Sequence, residues 1–413
     1  MELIVMNAHD PGTSNEIKMC IRTTCVTVGN LFTTGTFLQT FLASGGVPGD
    51  QIGSLTATLS LVQTAVILLL SFVVDRVKGV IRKSALMLLM IPVYFLVMLP
   101  FAISESIAPG LLLKAAMGAG LWHVILNSVY IVLDYRLPYQ IIDMRHYPRV
   151  IGRNGLVSGL VSVVVSTAAT ALLASCAVGK VMAGMYILGI GCFLLAFLSA
   201  RSFSPLPAME NSAPQKQKGG LLATLRLPLF WVLLLPNFMR GINDGVIGMM
   251  AAICIYEMGI SPAQSSTLAI AITVVNILSS FAFMRLSSRI RMSTMCLLSG
   301  CVMGLFMPIL MAWKIFPLVM AFYIIVRFAE LLIGSSIPAL LMQVIPRECI
   351  GSYTSLRLGV NFGGVALGSF LAGIALGKIP ILWLFAFSGT LQFIGCLVYY
   401  LVCRKKEMPL ARG

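Results

Sequence analysis

Charge is scarce in this sequence: only 10% of its 413 residues are Asp, Glu, Lys or Arg, and three are histidine. Against that stand 58% hydrophobic residues and a mean hydropathy of +0.96. A soluble core could not hide so much apolar side chain, so the bilayer is the solvent. Catalytic motifs are missing as well. There is no HExxH, no GxSxG and no Walker loop; the nearest approach, Gly373 to Lys378, is one residue short and is followed by Ile379 instead of Ser or Thr. The chain is therefore not expected to be an enzyme or to need a cofactor, and an existing gradient must supply any energy it uses. The ten cysteines form no CxxC and no paired Cys/His spacing, which excludes a metal site or a disulfide framework and leaves them as small core residues.

What is present is apolar stretches of membrane length. At about 20 residues per helical span, twelve are expected, at 19–44, 51–74, 83–104, 109–134, 150–174, 180–200, 226–256, 262–284, 293–313, 315–343, 353–376 and 379–402. The first is too long for a signal-peptide core and lacks a small-residue cleavage site, so it is expected to remain. One long polar interruption, containing SPLPAMENSAPQKQKGG, reads as a linker at 201–225 between an N-terminal unit at 1–200 and a C-terminal unit at 226–413. An internal repeat agrees with that division. At an offset of 213 residues, Gly46–Ala57 lies on Gly259–Ile270, Asn30 on Asn243 and Gly35 on Gly248.

The net charge of +15 could suggest nucleic acid, but its placement argues otherwise. Most Lys and Arg fall in the N-terminal flank, the C-terminal tail and the even-numbered connections. Positive charge holds loops in the cytoplasm, so both termini are expected inside a plasma membrane, and no nucleic-acid partner is expected. Lys114, Arg240 and Arg327 are read as lying inside spans.

A lipid-facing helix has no reason to keep polar residues, so those within spans carry the functional reading. In the seventh span Arg240, Asn243 and Asp244 are three and four residues apart, on one helical face. They admit two readings: a structural ion pair, or a site binding a charged solute in which Asp244 exchanges a proton. Arg327 and Glu330 in the tenth span admit the same two. The first span carries Thr23, Thr27, Asn30 and Thr34; the fourth His123, Asn127, Tyr130 and Asp134; the tenth Tyr323, Arg327, Glu330 and Gly334, each at the spacing of one face. His123 reads either as a proton relay, since imidazole titrates near neutral pH, or as a helix-to-helix hydrogen-bond donor. The small residues of the fifth span (Gly155, Gly159, Ser162, Ser166) and the eleventh (Gly359, Gly363, Gly364, Gly368) read as packing features.

The connection Ser71 to Lys83, S-F-V-V-D-R-V-K-G-V-I-R-K, resembles the signature loop of the major facilitator superfamily, G-x-x-x-D-R-x-G-R-R, through Asp75, Arg76, Gly79, Arg82 and Lys83. Ser71 replaces the glycine and the spacing around Gly79 is altered. In the second half Arg289 keeps the register of Arg76, with Ser288 where Asp75 would stand. Lys114, Gly118 and Gly120 are similar to the family's R-x-x-x-G-x-G, with lysine for arginine, and Arg327 holds the equivalent place in the second half. The fifth span lacks the glycine-proline signature of drug/proton antiporters.

That resemblance implies an all-α membrane protein of two pseudo-symmetric six-helix bundles that rock about a central site lined by spans one, four, seven and ten. It implies that Asp75, Arg76 and Arg289 belong to a gate loop on the cytoplasmic side. The expected function is secondary transport of a small organic solute by alternating access, with the proton as coupling ion, a lean toward an anionic substrate, and a monomer in the bilayer. Asn30, His123, Asn127, Arg240, Asn243, Asp244, Arg327 and Glu330 are the expected pathway residues. The competing readings are an efflux pump for drug-like compounds, and a transporter-like receptor or lipid-moving protein without solute coupling.

Overall fold

In lipid the backbone must satisfy its own N–H and C=O groups, and long uninterrupted runs of Leu, Val, Ile, Ala and Phe do so as helices. A computed structural model of the protein describes residues 11–33, 35–72, 77–104, 107–134, 137–142, 147–205, 225–226, 228–287, 289–344, 350–376 and 378–407, and among these there is no strand. In chain order the helices are α1 (Pro11–Asn30), α2 (Thr36–Ser44), α3 (Gly49–Ser71), α4 (Val80–Met90), α5 (Val93–Ile103), α6 (Pro109–Asp134), α7 (Pro138–Ile141), α8 (Tyr147–Ser175), α9 (Val178–Arg201), α10 (Pro228–Gly248), α11 (Met250–Met258), α12 (Pro262–Ser287), α13 (Met292–Ile309), α14 (Phe316–Val344), α15 (Ile350–Ala375) and α16 (Ile381–Cys403).

Among the described residues, ten stretches are long and apolar enough to cross a membrane, with α4 and α5 forming one of them, and α10 with α11 makes an eleventh across a 45° bend. Twelve uniform spans are expected; the remaining segment, 19–44, is instead broken. It consists of α1, which carries Glu16, Lys18 and Arg22, and the nine-residue α2. Neither is a membrane span by length and hydropathy alone.

Both interruptions obey the repeat. Gly35, in the left-handed region at φ 71°, sits immediately before α2, and its repeat partner Gly248 is the last residue of α10. Gly46 (φ 76°) and Gly259 (φ 62°), separated by the same offset, turn the chain toward α3 and α12. A side chain at either would collide with its own backbone, and glycine avoids that cost.

In the N-terminal half α1 packs on α8 and α9, and α6 on α3, α4 and α5. In the C-terminal half α10 packs on α15 and α16, and α13 on α14 and α16. Lipid supplies no hydrophobic drive between helices, so close contact depends on small residues. The α10–α15 seam is the extreme case. A Cβ placed on Gly241 would stand 2.0 Å from the carbonyl oxygen of Asn361, one on Gly245 2.3 Å from that of Val365, one on Gly364 2.3 Å from that of Phe238, and one on Gly368 2.1 Å from that of Ile242.

The two halves meet along α3–α15 and α8–α12, and α2 reaches α11 and α12. At one end, hydrogen bonds tie them. The Gln39 side chain donates to the Gly248 carbonyl at 2.8 Å and accepts from the Ala252 N–H at 3.3 Å, Thr40 and Ser265 share a hydroxyl bond at 3.1 Å, and the Tyr256 hydroxyl donates to the Val47 carbonyl. Replacing Gln39 with Leu removes two of these bonds and strands the buried Ala252 N–H, a cost of about 1–3 kcal/mol. Alkylation of the buried Cys254 is expected to quicken by about tenfold or more in Gln39→Leu; an unchanged rate would show that these bonds do not hold that end shut.

Candidate functional site

A helix cannot present an arginine and a carboxylate to hydrocarbon, so α10 turns its polar residues inward. Arg240 Nε lies 3.6 Å from Asp244 Oδ2, with the two side chains 17% and 19% exposed. The guanidinium is accommodated by Gly334 of α14, where an added Cβ would lie 3.0 Å from Arg240 Nη2. From α15, Asn361 Nδ2 donates to Asp244 Oδ2 at 3.3 Å and to the Asn237 carbonyl at 3.4 Å. One turn of α14 brings Arg327 Nη1 within 2.5 Å of Glu330 Oε2. The pairs are not separate: Glu330 interacts with Asp244 and Arg240 as well as Arg327, and Arg327 also feels Asp244. Two cations and two anions thus form one cluster of zero formal charge, which is how four ionisable groups can lie at membrane depth.

Asn243 is on another side of the helix. It is fully buried, and its Oδ1 accepts from Ser388 of α16 at 2.8 Å. Near the start of the same span Asn237 donates to the Tyr399 hydroxyl at 2.6 Å. These bonds hold α10 to α16 and fix the rotation that aims Arg240 at α14 and Asp244 at Asn361 of α15.

Beside the cluster is a cavity of about 620 Å³ whose wall comes from both halves. Thr27, Asn30 and Ser162 contribute from the N-terminal half, and Asn276, Tyr323 and Arg327 from the C-terminal half. Both helix interruptions open on it, through Gly35 and Thr36 on one side and Gly248 and Met250 on the other.

Of the expected pathway residues, Asn30 and Arg327 are in this wall, while Glu330, Arg240 and Asp244 are grouped with Arg327 and do not line it. Asn243 faces α16. His123 and Asn127 do not line it either. His123 is 2% exposed, and its ring lies 5.5 Å from that of Tyr94 in an aromatic interior that includes Phe95 and Tyr186. The Asn127 Oδ1 is buried without a hydrogen-bond partner among the described residues. Asp75 and Arg76 fall outside the described residues, and Arg289 is exposed in the turn after α12. Lys114 is exposed although its repeat partner Arg327 is largely buried, so the two halves have diverged at this position.

Arg22 was not singled out from the sequence. It is completely buried and pairs at 2.5 Å with Asp134, the last member of the α6 stripe, with the Tyr130 and Phe203 rings each 5.7 Å away. Asp134→Asn is expected to lower the thermal unfolding temperature of the purified protein. The effect should be smaller than the ~3–5 kcal/mol lost when a fully buried pair is broken, because Asp134 is 33% exposed. No measurable shift would make the pair dispensable. Asn361 was also missed; the signal available was a lone amide among the glycines of L-G-V-N-F-G-G, where a packing stripe has no use for one.

The family model described as Major Facilitator Superfamily matches residues 233–413. No curated protein matches the sequence. Solved structures similar to the chain include the nucleoside transporter NupG in a point-mutant form (TM-score 0.65, 12% identity, 95% of this chain and 98% of that one). A D-xylose-proton symporter superposes with a TM-score of 0.71 at 11% identity over 96% of this chain and 98% of that one. A bacterial homologue of the iron transporter ferroportin, in an inward-facing state, does so at 0.64 and 12% over 94% and 97%. At these identities the likeness is one of fold.

Proposed function

We propose, for a chain whose residues 233–413 match the Major Facilitator Superfamily model and whose fold is that of the solved transporters above, a secondary transporter that moves a small organic solute by alternating access and couples it to protons. The single observation that carries this reading is the cavity walled by both halves with an arginine in its wall and two carboxylates grouped with that arginine. Such a chamber lets one solute contact both halves at once, so its binding energy can bias their relative arrangement. Asp244 and Glu330 are the carboxylates assigned to proton exchange in this scheme, and Arg240 and Arg327 are the paired cations that a solute charge would engage. Units at 1–200 and 226–413 joined by the 201–225 linker, with both termini on the cytoplasmic side of the plasma membrane, fit this scheme.

The test is reconstitution. Purified protein in vesicles with an imposed pH gradient is expected to accumulate at least one solute from a panel of nucleosides, sugars and small organic acids, and to stop when the gradient is collapsed by an uncoupler. Accumulation that ignores the gradient would remove the proton from the scheme. Absence of any solute flux across a broad panel would favour a receptor or lipid-moving role.

A further inference from the structure

We propose that the chamber takes a small hydroxylated organic anion, whose charged head meets Arg327 and the start of α2. This rests on the reading of the cavity as solute space and adds the charge of what enters it. Among the described residues that line it, Arg327 is the charged one and no carboxylate is present. The cluster it belongs to is neutral in sum, but its orientation is not symmetrical: Arg327 is at the wall, whereas Glu330, only 8% exposed, and Asp244 and Arg240 are not part of it. A solute therefore meets the positive end of an oriented pair.

The second positive element is backbone. Helix α2 starts in the cavity wall, where Gly35 and Thr36 face the space and no side chain among the described residues caps the helix. A helix start carries unsatisfied N–H groups and about half a positive charge, which suits an anion. Gly35 has no heavy atom within 4 Å of where a Cβ would stand, so nothing in the protein fills that position.

A third observation, independent of both, points to a ligand. Ser162 is 1% exposed, lines the same cavity from α8, and its hydroxyl has no hydrogen-bond partner among the described residues. A buried polar group is normally paired, so this hydroxyl is available to a solute oxygen. Asn30 Oδ1, also in the wall and also without a partner there, is an acceptor that an anion cannot satisfy. It requires a donor, which is why the solute should bear hydroxyls on the body behind its anionic head.

The sign of the field can be measured without knowing the solute. Asn276→Cys, with Thr27→Cys as the alternative should the first not fold, places a thiol in the wall. Its modification by anionic sulfonatoethyl methanethiosulfonate and by cationic trimethylammonioethyl methanethiosulfonate is compared with that of a free thiol, subtracting the labelling of the parent chain. The anionic-to-cationic rate ratio is expected to exceed that of the free thiol by about tenfold or more, given a positive charge in the wall of the same cavity, and to fall back toward it when Arg327→Gln is added. In parallel, D-gluconate is expected to raise the thermal unfolding temperature of the purified protein more than D-sorbitol. A ratio equal to or below that of the free thiol, or one that Arg327→Gln leaves untouched, would overturn the anion assignment while leaving the chamber intact. Failure of both reagents to reach the thiol in either variant would instead overturn the chamber itself as solute space.

Discussion

Gly364→Val is expected to abolish accumulation of folded protein in the membrane. The Cβ of any residue at 364 would stand 2.3 Å from the Phe238 carbonyl oxygen and 2.8 Å from the Gly241 Cα, both backbone atoms that cannot swing aside. A Cβ on any of three more glycines of the same seam, 241, 245 and 368, would stand 2.0–2.3 Å from a carbonyl oxygen, so α10 cannot slide along α15 to escape the clash. Relief requires separating the helices, which breaks the Asn361 bonds to Asp244 and Asn237 in a medium that offers no replacement partners. Overpacking alone costs about 1–3 kcal/mol, and each polar group left unsatisfied about 1–3 kcal/mol more. Together these approach the whole stability of a typical domain, about 5–15 kcal/mol. Gly118→Val makes a suitable control, since nothing stands within 4 Å of the added Cβ. Monodisperse elution of the Gly364→Val protein from size exclusion, at normal yield, would refute this account of the seam.

Asp244→Asn is expected to reduce proton-coupled flux by at least about tenfold while sparing the fold. The amide keeps an oxygen for Asn361 to donate to, and Glu330 remains to balance Arg240, so the seam is not stripped of its polar partners. What is lost is a carboxylate able to bind and release a proton within reach of both arginines. Vesicles loaded with a pH-sensitive dye report proton movement when solute is added outside; the variant should bind solute yet show no acidification of the interior. Retained proton movement in Asp244→Asn, with loss in Glu330→Gln, would transfer the coupling role to Glu330.

How much of this was legible depends on the distance over which each feature is encoded. Spans, the broken first segment's glycine and the repeat are local, so Gly35 with Gly248 and Gly46 with Gly259 could be paired from spacing alone. The inward face of α10 was also legible, because a charged residue in an apolar run has one kind of place to go. Which neighbour each polar residue meets was not. Asn243 shares a helical face with Arg240 by periodicity, but a 100° step per residue still separates α16 from α14 once both pack against α10. The α6 stripe misled for the same reason: periodicity placed His123 and Asn127 on one face without saying that the face is turned to the aromatic interior of its own half. Arg22 was missed because a cation near the start of a span draws no notice unless its partner Asp134, more than a hundred positions later, is known.

Helix α15 touches its own half through backbone-to-backbone contact with α10, and touches the other half through α3, where a Cβ on Gly53 would lie 2.5 Å from the Gly373 Cα and 2.9 Å from the Ser369 carbonyl oxygen. Both contacts run along the helices, the first interlocking four glycines with carbonyls and the second adding Leu68 against Gly359. Bulk added at 53 or 373 would therefore pry one half from the other, as bulk at 364 would pry α10 from α15, so these two glycine tracts set how near each helix can come to its neighbour.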